Sequence, residues 1–553
     1  MAGVLDSLDL WVQGGDFRNL EPYRVLVVDP PRVDQIVLNC DYPAYTKLAD
    51  DGADSITVQG TQIALPMETA FLMHGLCNKP LVELRLPFGD RELVISRNGD
   101  DSAGAEEGAP LVSARIKNIV SGGTAEKDQP IPEQYAARML SADGREFSIP
   151  FLISETTDPD RIANRTREYA DYGQAVVIPA ETQLRLYLED TDNIISSEPT
   201  RLLISGIIDE PPVVETHRKG ISSIITRKAR IPIEGLISDD YGLENVRFDF
   251  KVDNEEAWRP RGFFNKLRSG TQEFNLQRTN EEPFERFDVL PLGLQVGQQL
   301  TLSVYAVDQD NLNGPHETRG EQYQFKIVTD EELISLLNSR EFNLHTQFAQ
   351  IISEIEQLRA SLVQQAKDLQ QVQERSQSQN DEEIEKRNVQ LSSASERNLH
   401  QLGKNQNETE AIEESFRSIM EELDNNQILT PEMKRHLDDL IVNPLSSINN
   451  KDYPGVDNEF RLYRDALSRS LNAQPALQQG IANVDNMLTH MKTVLAEIKD
   501  LADFHKALQE LGNIVKKQVE IKNKTKEQRA KDLFDDNSDL FKDDQNKEGG
   551  LFK

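Results

Sequence analysis

The sequence predicts a multidomain chain, all-β in its first part and all-α in its second: tandem β-sandwiches followed by a long helical or coiled-coil region. Two observations carry this. Leu184–Ile194 alternates apolar and polar residues and runs into Asp190-Thr191-Asp192-Asn193, and Leu302–Leu312 repeats the pattern with Asp308-Gln309-Asp310-Asn311. A half-buried strand met twice with the same ending marks a duplicated β unit. All but four of the 25 prolines and all but six of the 30 glycines precede Thr329. The residues that punctuate short strands therefore stop where a helix-permissive stretch begins.

In order along the chain, residues 1–30 read as a strand-like lead-in. Pro30-Pro31 and Pro211-Pro212 each open a β unit, one over 31–206 and one over 207–328. Strand-like runs at Val33–Leu38, Ile56–Val58 and Leu81–Leu86 at short intervals favour an antiparallel sandwich. The first unit is long for such a fold, and the excess is assigned to a partly mobile insertion over 98–182, with strand-like patches at Val112–Ile116 and Phe147–Ile153.

The helical part, 329–515, begins at Asp330-Glu331-Glu332, carboxylates that suit the positive end of a helix dipole. Leu337, Leu344, Ile351 and Leu358 step by seven, with Phe348, Ile355, Leu362 and Leu369 as a second row. Such rows describe either a coiled-coil seam between chains or one face of a bundle. Thr430-Pro431 reads as an N-cap with proline in the first turn, and 449–457, with Pro454-Gly455, as a loop. A second apolar stripe, Leu488–Val515, can return along the first, so an antiparallel hairpin or bundle is the preferred geometry. Protein partners or self-association are expected through Leu337–Leu369 and Leu488–Val515. Residues 516–553 read as a partly disordered tail, acidic around Asp532-Leu533-Phe534 and Asp539-Leu540-Phe541, which are docking peptides or a frayed helix end.

Composition narrows function by exclusion. A net charge of −33 over 553 residues argues against duplex nucleic acid or an anionic membrane surface as a partner, where a basic face supplies most of the affinity. No apolar run reaches membrane-spanning length, and no signal peptide is expected. Cys40 and Cys77 are either one bridge or, the favoured reading, two reduced core thiols. The eight histidines are scattered singly, without His-Glu-x-x-His, and Cys-x-x-Cys, Gly-x-Ser-x-Gly and the P-loop pattern are absent, so no catalytic or cofactor-binding residue is assigned. The chemistry that remains is hard oxygen. Asp190, Asp192, Asp308 and Asp310 end the two repeated strands, and carboxylates at such turns suit a structural calcium, with Asp209 and Asp239-Asp240 near enough in sequence to make an ion between the units conceivable. The same residues are also ordinary turn formers.

Asp41-Tyr42-Pro43-Ala44-Tyr45-Thr46, Val58-Gln59-Gly60-Thr61, Ser238-Asp239-Asp240-Tyr241-Gly242-Leu243, Ala306-Val307-Asp308 and Val328-Thr329-Asp330-Glu331-Glu332-Leu333 together resemble large uncharacterised envelope proteins of planctomycete-type bacteria. The resemblance covers roughly Trp11–Leu369. It implies immunoglobulin-like repeats before a coiled coil, a cell-envelope or periplasmic location, and no catalytic residues. The usual N-terminal hydrophobic anchors of that family are not matched here. The function expected is a non-catalytic scaffold or adhesion-type spacer. A carbohydrate- or peptide-binding module, with Trp258, Phe263, Phe264 and Phe274 as an exposed aromatic cluster, is the alternative, and a hydrolase built on 98–182 a distant third.

Overall fold

The computed structural model describes residues 6–51, 54–97, 111–118, 128–268, 270–277, 284–375, 381–469 and 471–542. The lead-in forms a small exposed ladder, Leu8–Leu10 against Tyr23–Val25.

The first β unit contains β1 (Val33–Asp41), β2 (Gln62–Pro66), β3 (Ala70–Cys77), β4 (Leu81–Phe88), β5 (Arg91–Arg97), β6 (Val112–Asn118), β7 (Glu146–Ile153), β8 (Glu181–Asp190) and β9 (Thr200–Ile207). One sheet runs β6-β5-β4-β8-β9-β2, extended beyond β6 by Gln129–Ile131. The other runs β7-β3-β1, flanked by Val176–Ile178 and Ser55–Thr57. Alternation decides what they share. Along β8, Leu184, Leu186, Leu188 and Asp190 all point inward, as a period of two requires. The leucines join Phe71, Met73, Phe147 and Phe151 in one core. The segment 98–182 is therefore not an insertion as a whole. β6 lies on the β5 edge, and β7 is a central strand paired along β3. The sequence from Glu146 to Ile153 is nearly continuous in apolar residues because that strand is covered on both faces. Residues 98–110 and 119–127 lie outside the described residues.

The second unit contains β10 (Val213–Arg218), β11 (Ile224–Thr226), β12 (Arg230–Val252), β13 (Glu285–Asp288), β14 (Gln299–Asp308) and β15 (Tyr323–Val328). β12 does the work of two strands. Its first half pairs with β10 and β13, its second half with β14. Asp239-Asp240-Tyr241-Gly242 is the bend between the halves. Gly242 has φ +123°, and a Cβ there would stand 2.9 Å from the Gly270 Cα, so the bend needs glycine.

The pairings of the two units match. The last strand of each (β9, β15) runs antiparallel to the one before it (β8, β14) and parallel to a short early strand (β2, β11). The register also matches: Asp190 faces Leu81, and Asp308 faces Leu243.

β15 passes directly into α1 (Asp330–Arg375), through a reciprocal cap: the Glu332 N–H donates to Thr329 Oγ1 at 3.2 Å and the Thr329 N–H to Glu332 Oε2 at 3.0 Å. α2 (Asp381–Asn425), α3 (Tyr453–Ser468) and α4 (Gln474–Lys542) complete a bundle with α1 packed on both α4 and α2. Thr430 caps the next helix by accepting from the Met433 N–H at 3.2 Å, as expected. The loop expected at 449–457 is instead helical. Two π-helical stretches, His436–Val442 and Ile448–Asp452, precede Pro444 and Pro454. A widened turn relieves the clash of a proline ring with the carbonyl four residues back. The tail is also helical as far as Lys542, taking in both Leu-Phe motifs; residues 543–553 lie outside the described residues.

Leu337, Phe348, Ile351, Ile355, Leu358 and Leu362 are buried together with Leu488, Met491, Ile498 and Leu501. The two stripes thus meet within one chain, as the preferred hairpin or bundle geometry expected and a seam between chains did not, because α1 and α4 lie side by side. The side chains of Phe504, Leu508, Leu511 and Val515 fall outside those described.

Candidate functional site

The acidic residues singled out by the repeat have different surroundings in its two copies. In the first, Asp190 is fully buried and completely engaged. Its Oδ1 accepts from the N–H groups of Asp192 and Ile194 at 2.9 and 3.0 Å, and its Oδ2 meets the Lys79 ammonium at 3.0 Å. Burial pushes the Asp190 carboxyl up, but the Ile194 N–H, Lys79 and the Asp192 N–H together hold it below its ordinary value. Asp192 is exposed, 3.9 Å from the same ammonium. Lys79 stands where a cation would bind these two.

In the second copy the corresponding strand end lies at the junction of the two β units. Asp308 Oδ1 accepts from the N–H groups of Asp310 and His316 at 3.1 and 2.9 Å, and its Oδ2 lies 2.7 Å from His316 Nδ1. Asp310 Oδ1 accepts from the N–H groups of Leu312 and Asn313, at 2.8 and 3.1 Å. Asp209, on the short connector between β9 and β10, is brought against this turn, its Oδ2 3.8 Å from His316 Nδ1. One potential ligand atom from each of Asp209, Asp310 and His316 lies within 4.8 Å of the others. Asp239, at the bend of β12, accepts from the N–H groups of Tyr241 and Gly242 through Oδ2, at 3.1 and 2.6 Å.

Several of these oxygens lack an ordinary donor. Among the described residues, neither oxygen of Asp209 meets a hydrogen-bond donor, nor does Asp310 Oδ2 or Asp239 Oδ1, and all four atoms are buried. Burial pushes the Asp209 carboxyl up to about 8, with Asp240, Asp308 and Asp239 adding to the effect. Burial likewise pushes Asp239 up to about 6, against the pull of its two backbone N–H groups.

The first unit closes the junction from its side. Tyr45 meets Tyr241 edge-on, with ring centroids 5.8 Å apart. Both hydroxyls are raised, Tyr241 to about 12, first by burial and then by the surrounding carboxylates. Arg161 reaches across, holding Glu68 of its own unit at 3.0 Å and Asn313 of the other at 2.6 Å. A cleft of about 500 Å³ opens between them, lined in part by Tyr45, Arg161, Asp209 and His316.

The structure thus brings Asp308 and Asp310 into a shared cluster with Asp209, Asp239 and His316, and gives Asp190 and Asp192 to Lys79. Tyr45 and Arg161 were not anticipated as contributors. His316 was one of eight scattered histidines, and its separation of eight residues from Asp308, across one turn, was the available signal.

The proposed aromatic cluster is not an exposed surface. Phe263 meets Phe248 edge-on at 4.6 Å and stacks on Phe274 at 5.8 Å within the core of the second unit. Trp258 is covered by Lys251 and Arg319, at 4.9 and 4.5 Å from its ring. Only Phe264 stands out, at 56% exposure. Long side chains of opposite polarity cover the ring faces that a ligand would use.

Cys40 and Cys77 are buried and unbridged. They sit near opposite ends of the β1–β3 ladder, Cys40 facing Phe71 and Cys77 facing Val33, a separation of roughly 20 Å at about 3.4 Å per residue, beyond any disulfide.

No family model and no curated protein matches this chain. Forty solved chains match in structure. One, described as pT26-6p, is 9% identical, with 81% of this chain and 91% of that chain covered at a TM-score of 0.15, a likeness too loose to support any argument. The class the chain defines by itself is a mixed protein, β-rich and then helical. Among its described residues no helix is long and apolar enough to cross a membrane.

Proposed function

We propose that this protein is a non-catalytic spacer, in which two immunoglobulin-like sandwiches in series stand on a helical bundle and hold distant sites apart at a fixed separation. The matching strand pairings of the two units support the immunoglobulin-like reading, since an early strand running parallel to the last one recurs in both. The resemblance to envelope proteins points to the cell envelope as the setting.

The observation that carries the spacer reading is the joint between the second unit and the bundle. The Thr226 N–H donates to Asn426 Oδ1 and the Thr226 hydroxyl to the Asn426 carbonyl, both at 2.8 Å, with both side chains fully buried. Asn425 Nδ2 donates to the Gly220 carbonyl at 2.7 Å. Val328 and Ile224 of the β unit pack into the helical core. A joint of buried, satisfied polar groups sets one orientation, because breaking it leaves donors and acceptors dry and unpaired. A binding module on a flexible tether would not need such a joint.

The test is a distance distribution between spin labels on cysteines introduced at the exposed Gln183 and Ser468, the two native thiols being buried. One narrow distribution is expected. A broad one, spanning tens of ångströms, contradicts a spacer of fixed length.

A further inference from the structure

We propose that the junction of the β units is a divalent-cation site, with Asp209 and Asp310 as carboxylate ligands and His316 beside them, and that the bound ion staples the two units together. The case rests on three observations. The first is geometric. The candidate ligand atoms of Asp209, Asp310 and His316 span no more than 4.8 Å, so a point between them lies within about 2.8 Å of all three, and small side-chain shifts bring that to a metal–oxygen distance of about 2.4 Å.

The second is the state of the ligands themselves. Asp209 is 7% exposed and Asp310 1% exposed, yet both oxygens of the one and Oδ2 of the other lack an N–H or hydroxyl donor, and the polar group within reach of Asp209 is another carboxyl, that of Asp240. A carboxylate out of water without donors is costly, and a cation restores what it lacks. Asp308, by contrast, accepts from the N–H groups of Asp310 and His316 and lies 2.7 Å from His316 Nδ1, so the imidazole would ligate through Nε2.

The third comes from the repeat. Leu81 faces Asp190 and Leu243 faces Asp308 in register, so the residues just before each leucine correspond. In the first unit that position carries Lys79, whose ammonium neutralises Asp190. In the second it carries Tyr241, preceded by Asp239 and Asp240. The second copy has a tyrosine where the first has its ammonium, and Asp209 and Asp239 add buried carboxyls beside Asp308 and Asp310. A mobile cation supplies the missing positive charge. Acidic oxygens with an imidazole suit Ca²⁺, Mn²⁺ or Zn²⁺, and the share taken by His316 decides among them.

The full chain, stripped with a chelator, would be titrated calorimetrically with each of these three ions, and its thermal midpoint followed. One ion should bind per chain with a midpoint rise of several degrees. Asp209→Asn should weaken binding at least tenfold and Asp209→Asn/Asp310→Asn should abolish it, while Asp190→Asn retains it. Preference for Zn²⁺ or Mn²⁺, lost in His316→Gln, makes the histidine a ligand; preference for Ca²⁺, kept in that variant, makes the site all-oxygen. Without metal, Asp209→Asn should melt no lower than the wild type, since it removes a carboxyl crowded by Asp240, Asp308 and Asp239; a lower midpoint would make Asp209 structural and overturn the proposal. So would the absence of a stoichiometric site for any of the three ions. Binding that persists unchanged in the double variant, as diffuse attraction to an acidic surface would, overturns it as well.

Discussion

Asp190 and Asp308 show how one motif acquires two roles from its neighbours. Each ends a strand on the inward side of the alternation, so each is buried, and each accepts backbone N–H groups from the turn that follows. The sequence made the strand, the turn and the buried carboxylate legible. It did not show the partner, because Lys79 is distant along the chain and the contact exists only through the β4–β8 register. Removing one member of such a pair strands the other: Asp190→Asn should destabilise the first unit by roughly 2–3 kcal/mol in chemical denaturation. The thiols give a second prediction at this scale. Burial pushes Cys40 up to about 11 and Cys77 up to about 12, so at pH 8 the native protein should resist alkylation while the unfolded chain takes up two equivalents. Rapid labelling of the native protein would contradict their place in the core.

Among the elements, the helices show most plainly what periodicity can and cannot tell. The rows beginning at Leu337 and Phe348 identified the buried face of α1 correctly, since a stripe records which side avoids water. They could not say whose helix covers it. That was decided by the return of α4, which supplies Met491, Val494 and Ile498 to the same core. The loop assigned to 449–457 failed for a different reason. Pro444 and Pro454 are strong breakers of an α-helix, but the preceding π-helical turns make room for both, and nothing local in the sequence signals a widened turn. Ile351 and Ile355 are 3% and 0% exposed. Replacing both with Asp should cost upwards of about 4 kcal/mol and remove much of the helical circular dichroism. Retention of full helicity would place this face outside the core.

For the molecule as a whole, the division at Thr329 was legible because proline and glycine usage changes there, and the matching final strands of the two β units because one strand pattern recurs. The joints were not legible, since they are made by residues that look like surface polar groups in sequence. Asn425 and Asn426 read as the end of a helix, and Arg161 as one of many charges; only in the fold do they bridge units. Asn426→Ala should therefore loosen the β–helix joint at a cost of about 2 kcal/mol, with new proteolytic cleavage near Thr329 while each part stays folded. Small-angle X-ray scattering on the full chain, at several concentrations, tests the spacer most directly. A compact protein of 553 residues would have a radius of gyration of about 24 Å, whereas α4, with 69 residues, is by itself about 100 Å long at about 1.5 Å per residue. The account predicts a monomer with a radius well above the compact value and a scattering profile described by one rigid shape. A radius near the compact value, or a profile that requires independently moving units, would contradict it.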